Sequence, residues 1–268
     1  MYRQHFGLTQ EPLGKDAKSL WDDGQLKELM ASFEWLLHHP GLGLLTGDPG
    51  VGKTAALRYI VTTLNPHQYS IIYISETDFG RLDLYRQIAI AMGIEPAHRR
   101  AQLWRDIKHY IEELVIHKNV LPVIIIDEAH NLPKDFFRDL PSFMNFSFDS
   151  KDMMVIWLVG NLSLSHMLSR NIYSAVYSRI SVKHVWSPIQ ENDRFSQMVT
   201  YALKDSGIQS QIISDSGMNM LCMASQGNPR IANKILITAL QFAAYRGINH
   251  LPDDILKTAI TSLQNKSS

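Results

Sequence analysis

Apolar runs and helical stripes alternate along the first two thirds of the chain. Five short, mostly apolar runs have the length and the β-branched content of buried strands: 42–47, 69–76, 120–127, 153–161 and 180–186. Between these runs apolar residues recur at helical spacing, which predicts helices at 24–39, 54–64, 82–92 and 101–117. Strands that alternate with helices in this way predict an α/β fold with an open parallel five-stranded sheet and flanking helices.

The pattern changes at Pro188. From Glu191 onward only helical periodicity remains, at 194–206, 215–225, 229–245 and 252–264, which predicts a small all-helical lid after the sheet. The predicted organisation is therefore an N-terminal segment (1–23), an α/β core (24–188) and a helical lid (189–268).

Composition narrows the possible functions only slightly. Lys plus Arg equals Asp plus Glu, at 26 each, so the net charge does not indicate a nucleic-acid partner, although a local basic surface is compatible with it. The single cysteine, Cys222, excludes an intramolecular disulfide, and its apolar neighbours predict a buried residue. No signal-peptide core is present, and the apolar runs are shorter than the ~20 residues of a membrane helix. We therefore expect a soluble, cytoplasmic protein with no membrane partner.

The stretch "GDPGVGKT" lies between the first strand and the next helix and has the spacing of a P-loop. Its glycines let backbone N–H groups turn towards phosphates at the positive end of that helix. Lys53 is expected to neutralise the β- and γ-phosphates, and the Thr54 hydroxyl to hold Mg²⁺. The predicted nucleotide-binding residues of this loop are Gly47, Asp48, Pro49, Gly50, Val51, Gly52, Lys53, Thr54 and Ala55.

Two acids end the third strand, in "VIIIDEAHNL". Asp127 is expected to hold the metal through a water molecule, and Glu128 to polarise a water for attack on the γ-phosphate. The letters "DEAH" also occur in nucleic-acid helicases, but the residues after Pro188 are too few and too helical to form the second RecA-like domain of a helicase core. His130 either tunes Glu128 or acts as a hydrogen-bonding residue at the strand end.

Further polar residues follow at places where nucleotide chemistry can use them. Asn161 ends the fourth strand, where an amide can sense the γ-phosphate and orient water; a turn-forming Asn is the alternative. Arg230 stands behind Pro229 at a helix start, from which it can fold back on the nucleotide. Arg179 precedes the fifth strand and suits a finger that reaches the nucleotide of a neighbouring subunit, with Arg170 as the alternative.

The P-loop, the acidic pair and these three polar positions, in this order, resemble the AAA+ ATPases, which are P-loop NTPases. Longer stretches resemble the ATPase domain of the ExeA/GspA-like group over about residues 1–263: "MYRQHFGLTQEPLG", "LLTGDPGVGKT", "IIIDEAHNL", "LVGNLSLSHML", "YSRI" and "SQGNPRIANKILITALQFAAYRG". That group is related to the transposition ATPases TnsC, TniB and MuB. The resemblance implies ATP and Mg²⁺ as cofactors, a site shared between subunits, and self-assembly into a ring or helical filament.

The sequence departs from the secretion-type members of this group in two ways. Those members continue into a membrane segment and a peptidoglycan-binding region, whereas this sequence ends at "LQNKSS", and many carry Gln where Asn161 stands. The first departure favours the stand-alone relatives, which implies an ATP-dependent regulator of transposition. Its implied partners are double-stranded DNA, bound without sequence preference, and a transposase; whether a target-selector protein is a further partner stays open. A secretion-associated assembly ATPase is the alternative, and a nucleotide-gated binding module with negligible turnover is a third.

In ring-forming relatives the segments after the second strand line the central channel. Here they supply several basic residues, of which Arg99 and Arg100, followed by Arg81, are the best candidates for contacts with DNA phosphates. Such contacts would be largely independent of sequence and would weaken steeply with salt. A single charge of this kind more often belongs to a solvated face, and nearby acids oppose the DNA interpretation.

Two aromatic features stay open at this stage. The stretch "WDD", 21–23, packs either on the adenine or on the core. The phenylalanine-rich stretch 136–149 predicts helix packing in the core, with a subunit or transposase interface as the alternative.

Overall fold

The computed structural model describes residues 2–15, 20–77, 80–147 and 151–265. Two helices, α1 (Tyr2–Phe6) and α2 (Gln25–His38), precede the first strand. The central part contains β1 (Leu42–Gly47), α3 (Lys53–Thr63), β2 (Tyr69–Ile74), α4 (Arg81–Ala91), α5 (Arg100–Glu112), β3 (Leu121–Ile126), α6 (Lys134–Met144), β4 (Val155–Gly160), α7 (Leu162–Leu168), α8 (Ser174–Tyr177) and β5 (Ile180–Trp186). The C-terminal part contains α9 (Asn192–Asp205), α10 (Asp215–Ser225), α11 (Pro229–Tyr245) and α12 (Asp253–Gln264).

The five strands form one parallel sheet in the order β2-β3-β4-β1-β5. Thr46 lies opposite Gly160, and Ile126 lies opposite both Leu158 and Ile74. The carboxyl ends of β1, β3 and β4 therefore meet at the same edge, where open α/β sheets place their chemistry. This sheet and the helical C-terminal region confirm the predicted fold class.

The sheet core is built from β1 and β4, which are buried along their whole length, as expected of central parallel strands covered on both faces. Trp157 of β4 stacks on Phe33 of α2 with ring centroids 5.3 Å apart. Gly43 makes room for this pair, since a Cβ there would lie 2.7 Å from the Trp157 ring. The position therefore requires a residue without a side chain.

The phenylalanine-rich stretch belongs to this core. Four of its rings are at most 3% exposed: Phe136, Phe137, Phe143 and Phe146. Phe136 and Phe143 contact the ring of Tyr85 on α4, and Phe143 also contacts that of Trp104 on α5. The prediction of helix packing is confirmed for these residues. Phe148 and Asp149, the end of the predicted stretch, lie outside the described residues.

A second core holds the helices α9–α12 together. The N-terminal segment belongs to it, because Leu8 is 8% exposed within this core and the Thr9 N–H donates to the Ser206 carbonyl at 2.9 Å. Trp21 also packs against this cluster. Of the two alternatives given for the stretch "WDD", adenine or core, the structure shows packing on the core. Cys222 is 6% exposed, as predicted, and burial raises the pKa of its thiol, which disfavours a reactive thiolate.

Contacts divide the chain into two compact units. The lid unit consists of residues 1–25, 48–59 and 187–268, and the sheet unit consists of residues 26–47 and 60–186. The lid unit therefore contains most of the predicted P-loop, while the sheet unit contains all five strands. Of the helices in the described ranges, none has the length and apolar character needed to span a membrane.

Asp253, in the first turn of α12, ties that helix to the start of α10. Ser214 and Ser216 donate their hydroxyls to its two carboxylate oxygens at 2.9 and 2.6 Å. These hydrogen bonds lower the pKa of Asp253 from its ordinary value of 3.8. The ionised carboxylate therefore stabilises the folded state above the unfolded pKa, and this contribution is lost as the pH falls through the folded pKa.

We expect Asp253→Asn to lower the thermal midpoint at pH 7, with a difference from the wild type that shrinks towards zero as the pH falls below about 4. Thermal unfolding followed by circular dichroism across this range measures the effect. Asp215→Asn is the matched control, because it removes the same charge from the first turn of α10. Equal, pH-independent shifts in the two variants would contradict the role of the serine hydrogen bonds.

Candidate nucleotide site

The P-loop has the backbone that phosphate binding requires. Gly50 and Gly52 have φ of 87° and 111°, in the region that favours glycine, and α3 begins directly after them at Lys53. The Ala56 N–H closes the first helical turn on the Gly52 carbonyl at 2.9 Å, so the N-terminal end of α3 lies within the loop itself. Such a helix start is an anion site.

The charged and hydroxyl groups of the loop suit a nucleotide with Mg²⁺. Lys53 is 8% exposed, and its ammonium donates to the Asp48 carbonyl at 3.0 Å, which holds it within the loop. Thr54 occupies the first turn of α3 and is exposed. An ammonium and a hydroxyl at the positive end of a helix fit phosphate and a phosphate-bound cation, respectively.

The start of α11 clamps this loop within the lid unit. Asn228 caps α11 through its amide oxygen, and its amide nitrogen donates to the Pro49 carbonyl at 2.9 Å. The Arg230 N–H lies 3.3 Å from the Gly50 carbonyl. The backbone of Arg230, the residue predicted to reach the nucleotide, therefore contacts the P-loop directly. Sequence reasoning missed Asn228, although an Asn directly before a helix-opening proline is a typical N-cap.

In the sheet unit, Asp127 follows β3 and is 4% exposed. One carboxylate oxygen accepts from the Glu128 N–H at 2.8 Å, and the other accepts from the Tyr73 hydroxyl at 2.9 Å. These two donors orient the carboxylate, which is the arrangement that the predicted role of Asp127 in holding a metal's water shell calls for. Tyr73 lies on β2, 54 positions away, and no sequence signal pointed to it.

Glu128 has a left-handed backbone, with φ of 52°, and its carbonyl accepts from the Thr77 hydroxyl at 3.1 Å. A non-glycine residue in this region marks a strained position that the surrounding structure imposes. Its side chain is 57% exposed. The carboxylate is therefore accessible to water, as a general base must be.

Asn161 follows β4 and caps α7, since its amide oxygen accepts from the Ser163 N–H at 3.0 Å. The turn-forming role that was the alternative for Asn161 is thus observed. The cap uses the amide oxygen, and the amide NH₂ is the group that can act as the predicted sensor of the γ-phosphate. Asp127, Glu128 and Asn161 lie at the same edge of the sheet.

The structure places Arg179 at the end of α8, where it is half-buried and its N–H donates to the Val176 carbonyl at 3.0 Å. Arg170 is exposed and precedes a short turn, Asn171–Tyr173. Arg179, with Arg170 as the alternative, stays the predicted finger.

The three arginines predicted to contact DNA all stand at helix starts. Arg81 and Arg100 are the first residues of α4 and α5, and Arg99 caps α5. Arg81 and Arg100 both bind the same oxygen of Asp139, at 3.0 and 2.7 Å. The structure therefore brings two of the three arginines together, through an acid of α6 that sequence proximity did not reveal.

Arg99 is exposed and forms no ion pair within the described parts of the chain. Lys108, in the same segment, fastens α5 to the end of α6, because its ammonium donates to the carbonyls of Ser142 and Asn145 at 2.9 and 2.7 Å. Partial burial lowers the pKa of Lys108.

In the ranges that the structure describes, no cluster of three or more His, Cys, Asp or Glu residues could hold a metal ion by itself.

Residues 36–168 match the AAA domain family. The protein is also similar to solved structures: it matches Cdc6p from Pyrobaculum aerophilum with a TM-score of 0.71 and 18% identity, over 96% of this chain and 70% of that one. The fold is that of an AAA+ P-loop NTPase. The Aeropyrum pernix ORC1 protein, solved in complex with DNA, has the same fold, with a TM-score of 0.68 and 17% identity over 94% of this chain and 68% of that one.

The chain is also similar to the General secretion pathway protein A of Aeromonas hydrophila, at 28% identity over 256 residues. The match covers 92% of this chain but 46% of that protein, so the chain spans about half the length of this relative. The residues that match the AAA domain, 36–168, include both the P-loop and the acidic pair.

Proposed function

We propose that the protein binds ATP with Mg²⁺ through residues 47–55 and hydrolyses it with Glu128 as the general base. Bound Mg²⁺ would supply charge neutralisation at the phosphates. Lys53 would neutralise the β- and γ-phosphates, Thr54 would hold the cation, and Asp127 would hold it through a water. The positive-φ glycines of the loop and the two donors that orient Asp127 support these roles.

The remaining polar residues complete the proposed reaction. Asn161 would sense the γ-phosphate and help to orient the water, while Arg230 would bind the nucleotide from the start of α11. Arg179, or Arg170 in its place, would reach the nucleotide of a neighbouring subunit, which makes hydrolysis dependent on assembly. We expect this hydrolysis to be slow.

We further propose that the ATP-bound protein assembles into a ring or helical filament on double-stranded DNA and regulates a transposase. The observation that carries the DNA proposal is the convergence of Arg81 and Arg100 on Asp139, with Arg99 beside them. Arginines at two helix starts combine a positive side chain with the positive end of a helix, and both favour phosphate. The ORC1 protein, which shares the fold, was solved in complex with DNA.

The transposase is the part of the proposal that rests on the resemblance to TnsC, TniB and MuB. A second candidate is a secretion-associated assembly ATPase. The similarity to the General secretion pathway protein A, over 92% of this chain, favours that candidate. The two functions differ in whether duplex DNA is the surface on which the protein assembles.

Electron microscopy of the purified protein with a non-hydrolysable ATP analogue, with and without duplex DNA, tests the proposal. We expect regular assemblies that form on the DNA when the analogue is present. A protein that stays monomeric and off DNA would exclude the transposition function. Assemblies that form equally well without DNA would favour the secretion-associated alternative.

Asp139→Asn tests the arginine cluster directly. The substitution removes the carboxylate that binds Arg81 and Arg100, so both guanidinium groups become available for phosphates. We expect duplex affinity with the ATP analogue to rise several-fold at low salt, with a steeper loss of affinity as salt increases. Fluorescence anisotropy over a salt series measures both quantities.

Asp135→Asn is the matched control, because Asp135 lies on the same helix and its pair with Arg138 is exposed on both sides. It removes the same charge without releasing the arginine pair. Equal effects of the two substitutions on affinity and on salt dependence would exclude Arg81 and Arg100 from the DNA surface. Loss of binding in Arg99→Ala would then leave Arg99 as the contact.

A further inference from the structure

His130 lies in the turn Ala129–Asn131, directly after the acidic pair, and its ring faces two groups of the proposed hydrolytic site. Its Nε2 atom lies 3.5 Å from a carboxylate oxygen of Glu128. Its Nδ1 atom accepts from the Asn161 N–H, also at 3.5 Å. The imidazole therefore stands between the proposed base and the end of β4.

These two neighbours determine which nitrogen carries the proton. A backbone N–H can only donate, so Nδ1 must be the acceptor towards Asn161. In the neutral ring the proton then resides on Nε2, which faces the Glu128 carboxylate. The same tautomer satisfies both contacts, because it presents an acceptor to the amide and a donor to the carboxylate.

The ring is held in this place by the chain around it. The His130 side chain is 20% exposed, whereas that of Glu128 is 57% exposed. A Cβ on Gly160 would lie 3.2 Å from His130 Nδ1 and 3.0 Å from Leu164, so the absence of a side chain at Gly160 leaves the room that the ring occupies. A mostly buried imidazole can thus support a carboxylate that is more than half exposed.

We propose that His130 is a positioning residue, which orients the Glu128 carboxylate and links it to Asn161 at the end of β4. It touches neither substrate nor metal in this role, and Glu128 remains the group that polarises the water. A general base loses efficiency when its carboxylate samples several orientations, since the reacting atoms are then aligned for only part of the time. The inference rests on the proposed role of Glu128.

Three substitutions of His130 separate its two contacts. His130→Ala removes both contacts. In His130→Gln the longer side chain places an amide NH₂ donor towards Glu128, in place of Nε2. In His130→Asn the shorter side chain places an amide oxygen towards the Asn161 N–H, in place of Nδ1, and does not extend to Glu128. We expect His130→Ala and His130→Asn to lower kcat roughly tenfold, with KM and the affinity for a fluorescent ATP analogue unchanged. His130→Gln should recover most of the lost kcat.

Steady-state hydrolysis, nucleotide binding and thermal midpoints are measured for all three variants and for His166→Ala, an exposed histidine of α7 that serves as the control. A kcat within twofold of the wild type in His130→Ala would overturn the proposal. It would also be overturned if His130→Asn recovered kcat and His130→Gln did not, because the backbone contact alone would then matter. Parallel losses of kcat and thermal midpoint in all three variants would assign His130 to folding instead.

Glu128→Gln distinguishes failure of this inference from failure of the underlying assignment. If Glu128→Gln retains the wild-type rate, Glu128 is not the base and both proposals fail. If Glu128→Gln is inactive while His130→Ala is fully active, only the role of His130 is excluded. If both proposals are correct, adding His130→Ala to Glu128→Gln should cause no further loss of rate, because a positioning residue has no effect without the group that it positions.

Discussion

Glu128→Gln is expected to lower kcat for ATP hydrolysis by about 10²–10³-fold while ATP affinity stays within twofold of the wild type. The amide has the size of the carboxylate but cannot accept the proton of the attacking water. The left-handed backbone of Glu128 and its hydrogen bond from Thr77 do not depend on the side-chain charge, so the site keeps its shape. Phosphate release and fluorescent-nucleotide binding measure the two quantities.

The same variant should stay assembled on duplex DNA, because ATP binding would favour assembly and hydrolysis would end it. A dissociation assay with excess competitor DNA should show a much longer residence for Glu128→Gln with ATP than for the wild type. Glu28→Gln, at an exposed position on α2, is the matched control and should behave as the wild type. If Glu128→Gln keeps the DNA residence time and the hydrolysis rate of the wild type, the protein is better described as the nucleotide-gated binding module with negligible turnover.

Gly50→Ala is expected to weaken ATP binding by at least tenfold and to lower the thermal midpoint. A φ of 87° costs an L-residue about 1–2 kcal/mol. The new Cβ would also lie 2.8 Å from Arg230 Cβ and 2.9 Å from the Asn228 amide oxygen, closer than real contacts allow. The loop must then move away from α11, which breaks the Asn228–Pro49 hydrogen bond and costs about 1–3 kcal/mol more.

Gly247→Ala separates backbone strain from this collision. Gly247 has a φ of 70°, and no atom lies within 4 Å of its Cβ position, so its substitution carries only the backbone cost. Isothermal titration with ATP and thermal unfolding should show a small loss of stability and full ATP affinity for Gly247→Ala. Equal behaviour of the two variants would mean that the contact between the P-loop and α11 does not support nucleotide binding.

Much of the fold could be predicted from local sequence patterns. The strands of the sheet are short apolar runs, and the lid helix predicted at 229–245 begins and ends where predicted because Pro229 opens it and a glycine follows it. The predicted helix at 101–117 was less accurate. Regular α-helix ends at Glu112, and the last turn, Glu113–His117, is wider, because apolar periodicity does not distinguish these two backbones.

The backbone of the P-loop could also be predicted, since its motif lies within eight consecutive residues and depends on conformations that glycine permits. Phosphate binding by this loop stays a prediction. The acidic pair at the end of β3 was accessible for a similar reason. A strand that ends in two acids places them at the carboxyl edge of a parallel sheet whatever the rest of the chain does. Neither inference required knowledge of which side chains meet across the fold.

Contacts between residues far apart in the sequence could not be predicted in this way. Tyr73 reaches Asp127 from another strand, Asp139 binds arginines from two helices, and Asn228 donates to Pro49 from 179 positions away. Residue types and spacing along the chain therefore determined the sheet, the C-terminal helices and the backbone of the P-loop. The orientation of the acids, the pairing of the arginines and the clamp on the loop depended on tertiary packing, because hydrogen bonds and ion pairs require atoms at about 3 Å and local spacing does not encode that distance.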